Sequence, residues 1–367
     1  MHGAALARAL KRQSPETTLV GMGGLQMRDA GVRLLADITR YSTIGFLEPI
    51  RYLPKLLGTF FVLKTWIVKH RPDVIVLIDN QGFNMMLASV AKEIGIPTCY
   101  YIAPQEWQWG SESGGRRVAT GVSKILSILK PEHEFYKKLG ADVRYVGHPI
   151  LDTAVASLSR EEFCLRNQLD PNRPILGVFP GSRQQELTYT APVLFAAAKR
   201  ILASRPDVQV VVSVASPHYG KQLAALCVQS GLSPVYCMDN VNLIAYSYLS
   251  IVTSGTVSFE HALLGTPCLV CYQFSPLSYW FLTTFFAKKV KRIKFMSMAN
   301  LIADREVLPE FLQAKATPER ISAKAIELLA SDSAQYAHIK SALVALKNTI
   351  GEPGVLDRAA TEVLSLI

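Results

Sequence analysis

The sequence predicts an α/β fold of two doubly wound halves, each a parallel sheet with helices against its faces. Three observations predict it. Short β-branched runs bounded by turn residues alternate with longer stretches at helical spacing, the pattern of parallel sheets. The length of 367 residues suits about two domains at roughly 100 to 200 residues each. The tetrapeptide Arg71-Pro72-Asp73-Val74 returns as Arg205-Pro206-Asp207-Val208, each time closing a helix and launching a buried strand.

The chain opens on an amphipathic helix, His2-Gly3-Ala4-Ala5-Leu6-Ala7-Arg8, without the basic-then-apolar order of a signal peptide, so a cytoplasmic protein is expected. Its first strand-like stretch comes at residues 19–21, so the first half is expected to lack the usual opening strand and phosphate loop. Strands then follow at 74–78, 98–102, 124–129 and 143–146. Residues 151–173 are helical and polar and end in Asp170-Pro171-Asn172-Arg173-Pro174, which places a domain boundary there and divides the chain into 1–165 and 166–350. The second set of strands is 175–179, 208–214, 235–237, 249–252 and 268–272. The last stretch is helical, and Gly351-Glu352-Pro353-Gly354 sets off a final helix within 351–367.

Composition narrows the function. With 49% apolar residues the chain can bury large cores, yet no uninterrupted apolar run reaches the ~18 residues of a spanning helix. Cysteines 99, 164, 227, 237, 268 and 271 read as core thiols; Cys268 and Cys271 flank Leu269-Val270 inside an apolar run, which disfavours a disulfide or zinc. The net charge of +10 admits nucleic acid, an anionic membrane surface or a phosphorylated substrate. Its distribution chooses among them. Residues 261–303 contain no acid but hold Lys288, Lys289, Lys291, Arg292 and Lys294, half of the net charge. Just before them Leu277, Trp280, Phe281 and Phe285 share one helical face, the composition of a membrane-surface element; a core helix followed by a solvated basic loop is the alternative. No recognition motif accompanies the block, so nucleic acid is not an expected partner.

Ligands of doubly wound domains bind where strand ends meet helix N-termini. Pro180-Gly181-Ser182-Arg183 follows one strand, with Glu186 three residues beyond the arginine: glycine allows close approach, serine caps, and arginine can grip phosphate oxygens. Ser254-Gly255-Thr256 follows another, with Glu260 one turn along, placed to hold the two hydroxyls of a ribose. Each loop alone suits a structural cap equally well. Together they describe a nucleoside diphosphate site. In the first half, Asp79 ends a buried strand ahead of Asn80-Gln81-Gly82-Phe83-Asn84, as a helix cap or as a general base whose pKa burial would raise. Gln105, Trp107 and Trp109 offer amide and aromatic surface to a sugar or acyl chain, or form a rim of packing side chains. His148 in Gly147-His148-Pro149 is either a phosphate-orienting group or a buried hinge histidine.

Taken in order and spacing, Asp79 to Asn84, Tyr101 to Trp109, Gly147-His148-Pro149 with Asp152, the two loops with Glu186 and Glu260, and Ser297-Met298-Ala299-Asn300-Leu301 resemble the lipid-A-disaccharide synthases over essentially the whole chain. The resemblance implies a GT-B fold, two Rossmann-like domains facing across a cleft. It implies a peripheral enzyme on the inner, cytoplasmic face of the membrane that joins UDP-2,3-diacylglucosamine to 2,3-diacylglucosamine 1-phosphate by a β-1,6 bond and releases UDP. By position, Asp79 becomes the base for the acceptor 6-hydroxyl. Arg183 with the amides of Gly181 and Ser182 stabilises the leaving diphosphate, Glu260 binds ribose and Asn300 lines the donor site. Asn84, Gln105, Trp107 and His148 fall on the acceptor side. No Asp-x-Asp motif appears, so no metal or other cofactor is expected. The family's opening strand and Gly-Glu-x-Ser-Gly-Asp loop have no counterpart before Met1-His2-Gly3, and Gln81 and Ala299 stand where the family usually has proline. The alternatives are another GT-B enzyme of the murein glycosyltransferase or UDP-sugar epimerase type, or a binding protein of this fold without activity. A homodimer exchanging the final helix is a further expectation.

Overall fold

A strand apolar at every position must be covered on both faces, which a parallel sheet flanked by crossover helices achieves. Ile175–Phe179 and Cys268–Tyr272 are of this kind, and Leu249–Thr253, which includes Ser250 and Thr253, is likewise buried at every residue. The computed structural model describes residues 2–37, 48–108, 110–285 and 294–367. They form two units, Met1–Thr153 with Ile350–Ile367, and Ala154–Thr349.

In the first unit, β1 (Val20–Gly23) and β2 (Arg33–Asp37) make a parallel pair. A four-stranded parallel sheet follows in chain order: β3 (Ile75–Ile78), β4 (Thr98–Tyr101), β5 (Lys124–Ser127) and β6 (Val143–Tyr145). Phe60, Leu63 and Ile67 of the helix Glu48–His70 and Phe83, Leu87 and Val90 of the helix Gln81–Glu93 share a core with Leu77, Tyr100 and Ile125 of the sheet. Fully burying such side chains contributes about 1.5 to 3 kcal/mol each.

The second unit is built on β7 (Ile175–Phe179), β8 (Gln209–Ser213), β9 (Val235–Cys237), β10 (Leu249–Thr253), β11 (Cys268–Tyr272) and β12 (Glu310–Leu312). All are parallel, in the order β9-β8-β7-β10-β11-β12. That order reverses direction between β7 and β10, the topological switch point of a doubly wound sheet. All six cysteines are buried.

The boundary expected between 165 and 166 falls instead between 153 and 154. The helix Arg160–Arg166 belongs to the second unit: Arg160 donates to the carbonyls of Tyr246 and Pro171, and Phe163 packs against Tyr246. Nor do residues 351–367 form a separate element. The Asp152 carboxylate accepts the Gly354 and Leu356 amides, Arg358 donates to the Val146 carbonyl, and Lys124 pairs with Glu362 at 2.8 Å, so the last helix is part of the first unit. β2 and the three-residue edge strand β12 were not foreseen; both are short and incompletely buried, which weakens the apolar signal.

Candidate functional site

In the second unit both foreseen loops leave the switch point. β7 and β10 are hydrogen-bonded neighbours, with Val252 opposite Phe179, so Pro180–Arg183 and Ser254–Thr256 begin side by side. The first loop is built around Glu186, which is 2% exposed. One carboxylate oxygen accepts the amides of Ser182 (2.8 Å) and Arg183 (3.2 Å), and the other accepts Arg183 Nη1 at 2.7 Å. Gly181 has φ +115, and a Cβ there would sit 2.4 Å from Glu186 Oε2, so only glycine lets the chain turn this closely over the carboxylate. Two expectations need correcting. The Ser182 amide, expected to face a diphosphate, is held by Glu186, and the Glu186 carboxylate, expected at the nucleotide, is occupied by two loop amides and the Arg183 guanidinium. Arg183, with 42% of its side chain exposed, remains the group able to meet a phosphate.

The second loop starts the helix Thr256–Leu264, with exposed Gly255 and Thr256 at its N-terminus. Glu260 lies on the first turn and a half of that helix, and burial raises its pKa above the ordinary carboxylate value. Beside the loop, Thr253 Oγ1 is buried without a hydrogen-bond partner among the described residues. Asn300 does not line this site as expected. It is fully buried; Nδ2 donates to the Leu308 carbonyl and Glu310 Oε1, and Oδ1 accepts the Val307 and Leu308 amides, which uses its complete hydrogen-bonding capacity. Glu310, which the sequence reading missed, also accepts the Met296 and Ser297 amides and so holds the chain where the Ser254 hydroxyl donates to the Met296 carbonyl.

In the first unit, Asp79 and Asn80 at the end of β3 both adopt left-handed backbone, φ +52 and +39. Ile102, just past the end of neighbouring β4, has φ +59, a conformation strained for a β-branched residue. Such strain gathers where a scaffold holds a functional group in place. The Asp79 carbonyl accepts from Asn84 Nδ2 and from the Tyr100 hydroxyl at 2.7 Å, and Asn84 Nδ2 also reaches the Ile78 carbonyl at 3.0 Å. Asn84 is therefore buried support for the turn, not an acceptor-facing group, and its partner Tyr100 carried no local sequence signal. The Asp79 residue itself is exposed, so the burial expected to activate it is absent.

Gln105 is exposed and Trp107 half-buried; Trp109 lies outside the described residues. Between them Gln108 buries both side-chain amide atoms without a hydrogen bond among the described residues, a polar group the sequence reading passed over. His148 is buried, its Nδ1 accepts the Ile150 amide at 3.2 Å, and burial, aided by nearby His2, takes its pKa down to about 3. It is thus a neutral imidazole with its proton on Nε2, unable to bring positive charge to a phosphate. Burial is also the main cause that lowers the pKa of nearby His2.

The sequence profile of the family described as Lipid-A-disaccharide synthetase matches residues 1–352. The chain belongs to that family. Lipid-A-disaccharide synthase of Geobacter sulfurreducens is 34% identical over 370 residues, covering all of this chain and 94% of the relative. That of Syntrophotalea carbinolica is 35% identical over 371 residues, covering all of this chain and 92% of the relative. Among solved structures, UDP-GlcNAc 2-epimerase from Neisseria meningitidis bound to UDP-GlcNAc superposes with a TM-score of 0.66 at 11% identity, covering 99% of this chain and 97% of that one. Spinosyn rhamnosyltransferase complexed with thymidine diphosphate gives 0.55 at 14% identity, covering 98% and 96%. These likenesses show the GT-B type of fold foreseen for the family.

The candidate membrane element is described in part. The helix Pro276–Phe285 exposes Leu277, Tyr279 and Trp280, with Phe281 half-buried. The Phe285 side chain, Lys288, Lys289 and Arg292 lie outside the described residues. Among the described residues no helix is long and apolar enough to cross a membrane.

Proposed function

We propose that this family member is an inverting hexosyltransferase that transfers 2,3-diacylglucosamine from its UDP derivative to the 6-hydroxyl of 2,3-diacylglucosamine 1-phosphate. The observation that carries the reading is the pair of neighbouring loops at the switch point of the second unit, one presenting Arg183 and the other Glu260, on a chain of this family. In the step itself the Asp79 carboxylate takes the proton of the acceptor hydroxyl as its oxygen bonds to the anomeric carbon. The bond from that carbon to the diphosphate oxygen breaks, and UDP leaves with charge that the Arg183 guanidinium neutralises. One in-line displacement inverts the anomeric centre. Glu260, as its carboxylate, accepts hydrogen bonds from the ribose hydroxyls.

The exposed Leu277 and Trp280, followed by the basic block, support docking on an anionic membrane on the cytoplasmic side. Exchange of the helix Val355–Leu364 between two copies would make a homodimer of the same contacts seen within one chain. Incubation with both acylated substrates in detergent, with UDP release and product mass as readouts, tests the activity: disaccharide 1-phosphate is expected, and turnover of a non-acylated UDP-sugar alone would overturn the reading. Asp79→Asn is expected to abolish transfer while UDP still binds; an unchanged rate removes Asp79 from the mechanism.

A further inference from the structure

A groove of about 400 Å³ lies in the first unit, lined by Gln81, Gly82, Met85, Met86, Ser89 and Arg117. Its floor runs along the first two turns of the helix Gln81–Glu93, roughly 12 Å from Gln81 to Ser89 at 1.5 Å per residue. One end is thus fixed beside Asp79, because Gln81 is two residues on and consecutive Cα atoms are about 3.8 Å apart. Arg117 comes from the neighbouring helix Glu112–Gly121.

The lining is chemically divided. Met85 and Met86, the second 41% exposed, offer unbranched, adaptable apolar surface of the kind that accepts flexible chains. Arg117 brings the only charge in the lining. Its neighbour Arg116 is paired with Glu112, and Lys92 donates to the Thr120 carbonyl, yet no hydrogen bond or ion pair among the described residues engages the Arg117 guanidinium. The Glu106 carboxylate, bonded to the lining residue Gln81 through Nε2, also accepts the Ser111 amide. An uncompensated guanidinium above methionines matches a ligand with both a phosphate and an acyl chain. A donor nucleotide has its own arginine and loops in the other unit, so the groove suits the second substrate.

We infer that this groove is the acceptor subsite, in which Arg117 binds the 1-phosphate of the acylated sugar while Met85 and Met86 seat an acyl chain. The assignment rests on the transferase reading proposed above. With the phosphate on Arg117, the free hydroxyl of the same sugar is the group left for the Asp79 carboxylate beyond the Gln81 end of the groove. Arg117 is a specificity-determining residue in this scheme: it distinguishes a sugar phosphate from the unphosphorylated sugar, with the bidentate geometry a guanidinium offers.

Two measurements test it on the full chain. Equilibrium titration with a short-chain 2,3-diacylglucosamine 1-phosphate, without donor, is expected to show about tenfold weaker binding for Arg117→Ala, the effect of losing one charge-assisted contact. Arg117→Lys should recover part of it, and wild type given the dephosphorylated sugar should lose the same factor. In turnover the same variant is expected to raise the acceptor KM about tenfold with the donor KM unmoved, and Met86→Gln to raise it more for long-chain than for short-chain acceptors. Arg117 is exposed and has no ion pair or hydrogen bond among the described residues, so its replacement leaves folding intact. If wild type makes disaccharide but neither titration nor acceptor KM responds to Arg117→Ala, or phosphorylated and dephosphorylated sugars respond alike, the subsite is wrong. If binding depends on Arg117 and no disaccharide forms, the subsite stands and the transferase reading falls.

Discussion

Replacing Asn84 with alanine probes the strained turn that presents Asp79. Both hydrogens of Nδ2 are engaged, with the carbonyls of Ile78 and Asp79, and Tyr100 supplies the third hydrogen bond to the turn. Two hydrogen bonds at about 0.5 to 1.5 kcal/mol each amount to roughly 1 to 3 kcal/mol. Alanine returns about 0.6 kcal/mol through its better helix propensity, so the expected net loss is about 0.5 to 2.5 kcal/mol. Opposing the bonds are two left-handed residues, each costing on the order of 1 kcal/mol. Loss of the Asn84 bonds is therefore comparable to the strain they hold, and the turn should relax in a large share of molecules. The transfer rate is expected to fall by about 2- to 70-fold, the factor to which a loss of about 0.5 to 2.5 kcal/mol corresponds, with the donor KM unchanged. Stability is read by urea denaturation with tryptophan fluorescence, which reports chiefly on the first unit, since Trp66, Trp107 and Trp109 lie there and Trp280 in the second is exposed. A stability loss with a rate within twofold of wild type would make Asn84 purely structural. No change in either would refute the claim that these bonds hold the turn.

Two further outcomes follow from the second unit and from the buried histidines. Gly181→Ala forces a left-handed residue and a contact with Glu186 Oε2, costing about 1 to 3 kcal/mol locally; UDP titration should show tenfold or greater weakening, and wild-type affinity would mean the loop tolerates a side chain. Burial lowers the folded-state pKa of His148 to about 3 and of His261 to about 4, against 6.5 when free. The unfolded chain then binds more protons between those values, so the stability these residues contribute is complete above about pH 6.5 and is lost as pH falls toward 4 and 3. For His261 that is on the order of 3 kcal/mol. His261→Leu should flatten the fall in stability between pH 6.5 and 4, at the expense of the hydrogen bond to the Val257 carbonyl; an unchanged acid profile refutes the assignment.

Much of the architecture was legible because parallel strands buried on both faces have an unmistakable composition. Ile175–Phe179 and Cys268–Tyr272 carry the bounds expected of them, as does the less buried edge strand Val235–Cys237, and the loops after β7 and β10 stood out by their Gly-Ser-Arg and Ser-Gly-Thr runs. What local pattern could not express was partnership. Glu186 and Glu260 look alike in sequence, each a carboxylate following a small-residue loop. Glu186 bonds two amides and a guanidinium of its own loop, whereas Glu260 makes no such bond among the described residues and lies within the helix Thr256–Leu264. Asn84 and Asn300 were placed at the site by the resemblance, but the Asn84 Nδ2 is engaged by two backbone carbonyls and the Asn300 amide by backbone groups and Glu310.

The sequence by itself determined the class of fold, the family and the pair of small-residue loops that follow β7 and β10, since hydrophobic period, turn residues and motif order are local properties of a chain. Only the tertiary structure decided which polar groups are occupied and which remain for a ligand. That depends on neighbours distant in sequence: Tyr100 bonded to the Asp79 carbonyl, Glu310 bonded to Asn300, and Arg117, without a partner among the described residues, beside a groove lined by methionines from another helix. The same dependence drew the domain boundary, because the final helix returns to the first unit through Asp152, Val146 and Lys124.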